Sequence, residues 1–441
     1  MQTRSRKRWL IISTCAIAAI VVAIVVGGAL LNPALTRYVE SPQFRAEMEK
    51  ETAKGLHFPT SEFGPIRRTG TLSARSDTFH ARNGQKAMTS LSAKHIAARF
   101  NPFGVFLRRW QIDDLPIDRA EIGIQIYEPK PEPKPAKPWY HIFLPDRVYL
   151  KRVHSDDVDV TWPMRGEKGG IFHTHLVVTP HGRDFEYHAN SGVLRNPLMP
   201  KLAIKQIHLL ITKQLFTLYT LDVISGKGTV HGEGTAIVTG DKKADFNFKW
   251  EDVPVREWLP KDSRESFEGV ATGDLKWTGN DYKLAAARMT GQVKVKDGRV
   301  SNLKFLDTIA EVTNRKDLAQ LELAECRSKL RWHEGQCELS DIAIEQSGKF
   351  RIEGTASFGK KSLGGTLEIG FAPEYLEWLP RPEEVFTRES EGYLWTTVHL
   401  SGTLDAPQQD LSPRLIEAMK ESPGKLLGAA LRGLRVWLFE Q

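Results

Sequence analysis

Cysteine is nearly missing, with three residues in 441, so a disulfide-stapled scaffold is excluded and the fold must be held by buried apolar surface. Enzyme signatures are missing too. There is no G-x-S-x-G elbow, no G-x-x-x-x-G-K-S/T phosphate loop, no H-E-x-x-H zinc helix and no C-x-x-C pair, so no catalytic residue is assigned. Gly232, Gly234 and Gly240 lie among turns and strands with no helix following, which excludes a dinucleotide fingerprint, and no cofactor is expected. Excess positive charge is concentrated in one place. The net charge is +7, but Arg4, Arg6, Lys7 and Arg8 supply +4 of it, and the remainder is no nucleic-acid footprint. What is present, 41% apolar and 26% charged residues, is the balance of a folded chain.

One long hydrophobic run stands out. From Trp9 to Thr36 there is no charged side chain, and residues 9–31 as a helix would span about 34 Å, enough to cross a bilayer. Four basic residues precede it and only Arg37 follows closely, which places residues 1–8 in the cytoplasm and the remainder across the membrane. A cleaved signal peptide has a shorter apolar core, of ~7–15 residues. The expectation is a single-pass protein of the inner (cytoplasmic) membrane with its large C-terminal domain in the periplasm.

Beyond the anchor, residues 38–127 read as a juxtamembrane helix (41–55, Ser N-cap, Pro42 at the first helical position) followed by strands. A short helix is expected at Asn101-Pro102, carrying Phe103, Phe106, Leu107 and Trp110. Strand alternation is clean in Ile122, Ile124 and Ile126, in Val158, Val160 and Trp162, and in Phe246, Phe248 and Trp250. Turn chemistry at Lys296-Asp297-Gly298, Glu334-Gly335 and Lys360-Lys361-Ser362 points to hairpins and antiparallel neighbours. The segment 128–138 (EPKPEPKPAKP) is an exposed Pro-rich loop that cannot join a ladder. Residues 139–411 read as a repeat-containing β region, interrupted by a helix at 302–313.

The repeat has a period of 120 residues. Gly234-Thr235-Ala236 recurs as Gly354-Thr355-Ala356, and Glu257-Trp258-Leu259-Pro260 as Glu377-Trp378-Leu379-Pro380. Each copy runs from a glycine-rich turn through an apolar-alternating strand, a Pro-led kink and a charged stretch to a Glu-Gly pair (268–269, 391–392) and another strand, so Trp258 and Trp378 are expected at equivalent kinks.

Four histidines, His173, His175, His181 and His188, fall within 16 residues and could chelate a metal, but they read more simply as a solvated strand face, and no metal site is assigned. Asp156, Asp157 and Asp159 alternate with Val158 and Val160 and read the same way. Cys326 and Cys337 flank a turn at Glu334-Gly335 that sets Trp332 opposite Cys337, too far from Cys326 for a disulfide. The tail 412–441 is helical in pattern and split by Pro423-Gly424. Its second half is amphipathic and basic, with Lys425, Arg432, Arg435 and Trp437 as candidates for a membrane interface; the other reading is a cap over the last apolar edge of the sheet.

The anchor, the segment GQVKVKDGRVSNLKFLDTIAEVTN (291–314) and the closing pattern YLWTTVHLSGTLDAPQQDLSPRL (393–415) resemble the AsmA-like family of inner-membrane-anchored proteins, relatives of the TamB and YhdP bridge-like lipid transfer proteins. The region of about 226–411 resembles the family's C-terminal domain. The resemblance implies a mainly β fold in which a long, twisted antiparallel sheet curls into an open apolar groove (β-taco-like) that holds acyl chains. About 18 strands at ~4.8 Å would make a trough of roughly 85 Å; the largest relatives are several times longer. The groove candidates are Phe246, Phe248, Trp250, Val293, Val295, Leu367, Ile369, Phe371, Leu394, Val398 and Leu400, whose apolar faces need a common cover. The expected partners are phospholipids and the inner membrane, and, with no nucleotide site visible, directionality would come from an envelope protein partner or a gradient. The rival function is a non-enzymatic scaffold for outer-membrane protein biogenesis. An unplugged apolar stripe favours lipid, and a stripe sealed by 302–313 and 412–441 favours the scaffold.

Overall fold

The computed structural model describes residues 36–101, 110–125, 148–164, 167–181, 184–197, 199–237, 242–280, 286–302, 315–404 and 406–420, together with Pro33, Phe103, Thr239 and Ala310. The anchor 9–31, the Pro-rich loop 128–138, nearly all of 302–313 and the tail beyond Lys420 lie outside the described residues. The same holds for Lys425, Arg432, Arg435 and Trp437. Among the described residues no helix is long and apolar enough to cross a membrane. The chain is mainly β, with a long mixed sheet and few helices, and divides into two units, Met1–Gly182 and Arg183–Gln441.

In the first unit, α1 (Pro42–Leu56) is capped by Ser41, whose Oγ accepts from the Phe44 amide at 3.2 Å, and it ends where His57 turns left-handed at φ 61°. Strands β1 (Thr60–Phe63), β2 (Ile66–Gly70), β3 (Ser73–Arg82), β4 (Met88–Asn101), β5 (Trp110–Ile124), β6 (Val148–Leu150), β7 (Val153–Met164) and β8 (Glu167–His181) follow. Trp110 opens β5 instead of ending a helix, because Gln111 pairs with Asn101 of β4. The register aligns Phe79, Ala93, Ala120, Val158 and Thr174 in one buried row across β3, β4, β5, β7 and β8. The α1 helix closes the β1 edge. Glu49 Oε1 accepts from the Phe63 amide at 2.9 Å, and Phe58 packs with Phe79.

The sheet departs from the expected antiparallel pattern at β5, which pairs in parallel with both β6 and β7. A parallel neighbour needs a crossover of a dozen or more residues, and the 126–147 connection supplies that length.

The second unit contains β9 (Asp184–Asn190), β10 (Val193–Asn196), β11 (Met199–Ile211), β12 (Leu215–Ser225), β13 (Gly228–Ile237), β14 (Lys243–Pro254), the short helix α2 (Val255–Trp258), β15 (Phe267–Asn280) and β16 (Ala287–Val300). Next come β17 (Leu321–Leu323), β18 (Glu325–His333), β19 (Gln336–Gln346), β20 (Phe350–Gly359), β21 (Leu363–Phe371), α3 (Pro382–Val385), β22 (Arg388–Ser390), β23 (Tyr393–Gly402), β24 (Pro407–Gln409) and α4 (Leu411–Lys420). Each long strand pairs antiparallel with the next, from β9 to β23, a ladder of about 53 Å at ~4.8 Å per step.

Three left-handed aspartates keep this ladder in phase. Asp252, Asp297 and Asp341 have φ of 51°, 51° and 50° and sit inside β14, β16 and β19 beside register shifts. A one-residue slip would move every later side chain to the other face, and a bulge absorbs the extra residue. Leu339 and Ile342 thereby share a face although they are three apart. Lys296-Asp297-Gly298, expected as a hairpin turn, is one of these bulges: Asp297 takes the left-handed conformation and the strand continues to Val300.

The repeat has a structural counterpart. Gly234 and Gly354, expected in turns, lie inside β13 and β20, with φ of 155° and 142°. Trp258 and Trp378 both sit in helical turns after the next strand, Trp258 ending α2 and Trp378 following the 3-10 turn Pro373–Tyr375. A Cβ on Gly354 would lie 2.2 Å from the Thr366 carbonyl oxygen. Gly354→Val is therefore expected to cost about 2–4 kcal/mol through clash and backbone strain, read as a lowered denaturation midpoint; an unchanged midpoint would contradict this register.

The end of the sheet at β23 is covered on both faces. On one, Leu376, Leu379, Val385, Phe386 and Ala418 form a buried cluster with Phe371, Leu394, Leu411 and Leu415 packed against it. On the other, Tyr393 and Trp395 are buried with Ala310, Leu318, Ala372 and Tyr375. Tyr375 donates to Asp317 at 2.9 Å, and Lys349 pairs with the same carboxylate at 2.9 Å. Burial, then the Asp317 bond, pushes the Tyr375 hydroxyl up to about 12, while the Lys349 hydrogen bond holds Asp317 below its usual range.

Candidate functional site

Following one row of paired residues across the second unit gives Ala189, Ile207, Leu221, Gly232, Phe248, Leu275, Gly291, Leu330, Leu339, Ala356, Gly365 and Leu400. Every member is aliphatic, aromatic or glycine. The neighbouring row, one residue along, reads Glu233, Asn247, Lys276, Thr290, Arg331, Glu338 and Ser357. Every member is polar. Successive side chains of a strand point to opposite faces, so from β13 to β20 the sheet has one apolar and one polar face.

Among the described residues, nothing seals the apolar face along its middle. Phe246, Phe248, Trp250, Val293, Val295, Leu367, Ile369 and Leu400 all lie on it and all remain half-buried, as do Leu275, Leu330, Leu339, Ile342, Ile344 and Ile352. In a sandwich, a second sheet ~10 Å away would bury such inward-pointing side chains. Instead they cover one another. Phe246 meets Phe248 at 6.2 Å and Trp277 at 5.9 Å between ring centroids. Where the face bends under Val293, Cys326, Ile342, Ile344, Ile352 and Leu367, it forms a cavity of about 270 Å³.

Three expected groove residues lie on this face but are covered. Phe371 and Leu394 pack against the Leu376–Phe386 cluster, with Phe371 edge-on to Phe386 at 5.9 Å, and Val398 is only 3% exposed. They share the apolar face with Phe248, but α3 and α4 close it at this end. From α4, Arg414 reaches Thr396 Oγ1 at 3.0 Å and the Thr397 carbonyl, and its backbone-facing Nε donates to Asp410 O at 3.1 Å. The described part of the tail, Leu411–Lys420, thus serves as the cap over the last strands.

The histidines do not converge. In β8, His173 pairs with Asp157 at 3.0 Å and His175 with Asp156 at 2.8 Å, while His188 belongs to β9 and pairs with Glu186 at 3.3 Å. Arg119 bridges Asp157 at 2.6 Å and Asp159 at 2.9 Å, so the acidic strand face is neutralised by a guanidinium. The turn at Glu334-Gly335 does place Trp332 opposite Cys337. Cys326 lies opposite Ile344, both thiols are free, and burial pushes both up.

The sequence reading missed Leu275, Leu330, Leu339, Ile342, Ile344 and Ile352, six of the fourteen half-buried residues named on this face. Alternation was available in 273–277 and 342–344, but the bulges break its phase between segments. No protein-family model matches the chain, and no match was found among curated proteins or solved structures. The AsmA-like resemblance rests on the residues quoted for it.

Proposed function

We propose that this is an inner-membrane-anchored periplasmic protein whose second unit curls into an open apolar groove, binds lipid acyl chains there and supports phospholipid transfer or envelope lipid homeostasis. The uninterrupted apolar row from Ala189 to Leu400, half-buried from Phe248 to Leu400 and flanked by a polar row across β13 to β20, carries the reading. Burying an acyl chain on such a surface contributes about 0.8 kcal/mol per CH2. The cavity under Val293 and Ile344, about 270 Å³, is below the ~300 Å³ of small-molecule pockets and suits a stretch of chain more than a whole molecule. The headgroup would stay in water. Among the described residues, the closure by α4 reaches Phe371 and Leu394 at one end of the face, which supports lipid over the sealed-scaffold alternative.

No catalytic step belongs to this reading. The charge-free run 9–31 supplies the anchor, and directionality comes from a partner or a gradient. Photo-crosslinking residues at Phe248 and Ile369 are expected to capture phospholipid in cells, and one at Asn247, on the polar face, to capture none. Equal labelling at Asn247, or no lipid at any of the three, would overturn the proposal.

A further inference from the structure

On the polar face of the second unit, β9 and β11 bring three ligand-type side chains together. His188 and His208 are direct cross-strand partners, and Glu186 stands two residues before His188, on the same face. Glu186 Oε1 lies 3.3 Å from His188 Nε2 and 2.8 Å from His208 Nε2. The two imidazoles stack with centroids 4.0 Å apart, and Tyr219 lies 4.6 Å beyond His208.

We propose that Glu186, His188 and His208 form a binding site for one divalent cation of the zinc, copper and nickel class. All three ligand atoms lie within 4.8 Å of one another. A tetrahedral ion with bonds of ~2.1 Å sets its ligands about 3.4 Å apart, so the set needs adjustments of at most about 1.4 Å. Imidazole χ2 torsions are broad and allow the rings to splay around an ion. Two imidazoles and one carboxylate are the nitrogen-oxygen donor set that such cations prefer over magnesium or calcium. The side chains are 40% (His188), 24% (His208) and 27% (Glu186) exposed, which leaves a coordination position open to water or a second molecule.

A comparable trio in the first unit shows the contrast. Asp157, Asp159 and His173 are also close together, but Arg119 already occupies the cation position between the carboxylates. The Glu186 site has two imidazoles where that trio has one. Nothing in the lipid reading requires it.

The test is a calorimetric titration of the tag-free, chelator-stripped full chain in detergent with zinc chloride, repeated with cobalt(II) as a visible-absorption probe. One equivalent is expected to bind in the micromolar range or tighter, with tetrahedral cobalt bands. His188→Ala and His208→Ala should each weaken zinc binding at least about tenfold, in line with the sensitivity of metal sites to lost support. Glu186→Gln should weaken it less, and His231→Ala, which removes a plain His–Asp pair (2.7 Å) in the same unit, should leave it unchanged. Circular dichroism of each variant confirms that it is folded. Absence of stoichiometric zinc binding, or binding equally affected by His231→Ala, would overturn the proposal.

Discussion

Trp395→Ala is expected to lower the free energy of unfolding by about 3–5 kcal/mol, and Phe248→Ala by no more than about 1 kcal/mol. Both are aromatic strand residues of the same sheet. Trp395 is 4% exposed, meets Tyr393 edge-on at 6.0 Å, donates from Nε1 to Ser390 O at 3.0 Å and carries Arg388 over its ring at 5.2 Å. Its removal leaves a cavity and an unpaired carbonyl. Phe248 is half-buried, opposite Gly232 and Leu275, and its ring already meets water on one side. Truncation there returns little apolar surface to solvent that was not partly exposed. Denaturant titration of the two variants reads the difference directly, and equal losses would place Phe248 in an ordinary core.

The second large effect concerns occupancy. Phe248→Asp is expected to lower co-purified phospholipid at least about tenfold while the domain stays folded. A carboxylate on the free apolar face can remain hydrated until an acyl chain covers it, and only then does its desolvation count; a cost of 1.4 kcal/mol already corresponds to tenfold in binding. Asn247→Asp, on the polar face one residue away, should change neither lipid nor stability. Unfolding of Phe248→Asp would show that the position is sealed in the native state.

The fold was legible in the sequence wherever a strand kept an uninterrupted period of two, as in Phe246, Phe248 and Trp250. It was not legible across Asp252, Asp297 and Asp341, because a left-handed aspartate looks like turn chemistry whether the chain reverses or bulges. The parallel pairing of β5 with β7 leaves no local signal, since it depends on where the 126–147 connection returns. Phe371 and Leu394 show why the candidate face was drawn too wide. Their alternation matches that of Leu367 and Ile369, and only the docking of α3 and α4 tells a covered apolar residue from an open one. His188 and His208 are 20 residues apart and become neighbours only through the β9–β11 register.

The central claim is that the apolar face of the second unit holds acyl chains. Native mass spectrometry of residues 38–441, purified without detergent, tests it most directly. The account predicts masses shifted by whole phospholipids, released as free lipid on collisional activation and depleted in Phe248→Asp but not in Asn247→Asp. A single unliganded mass, or lipid retained equally by both variants, would contradict it.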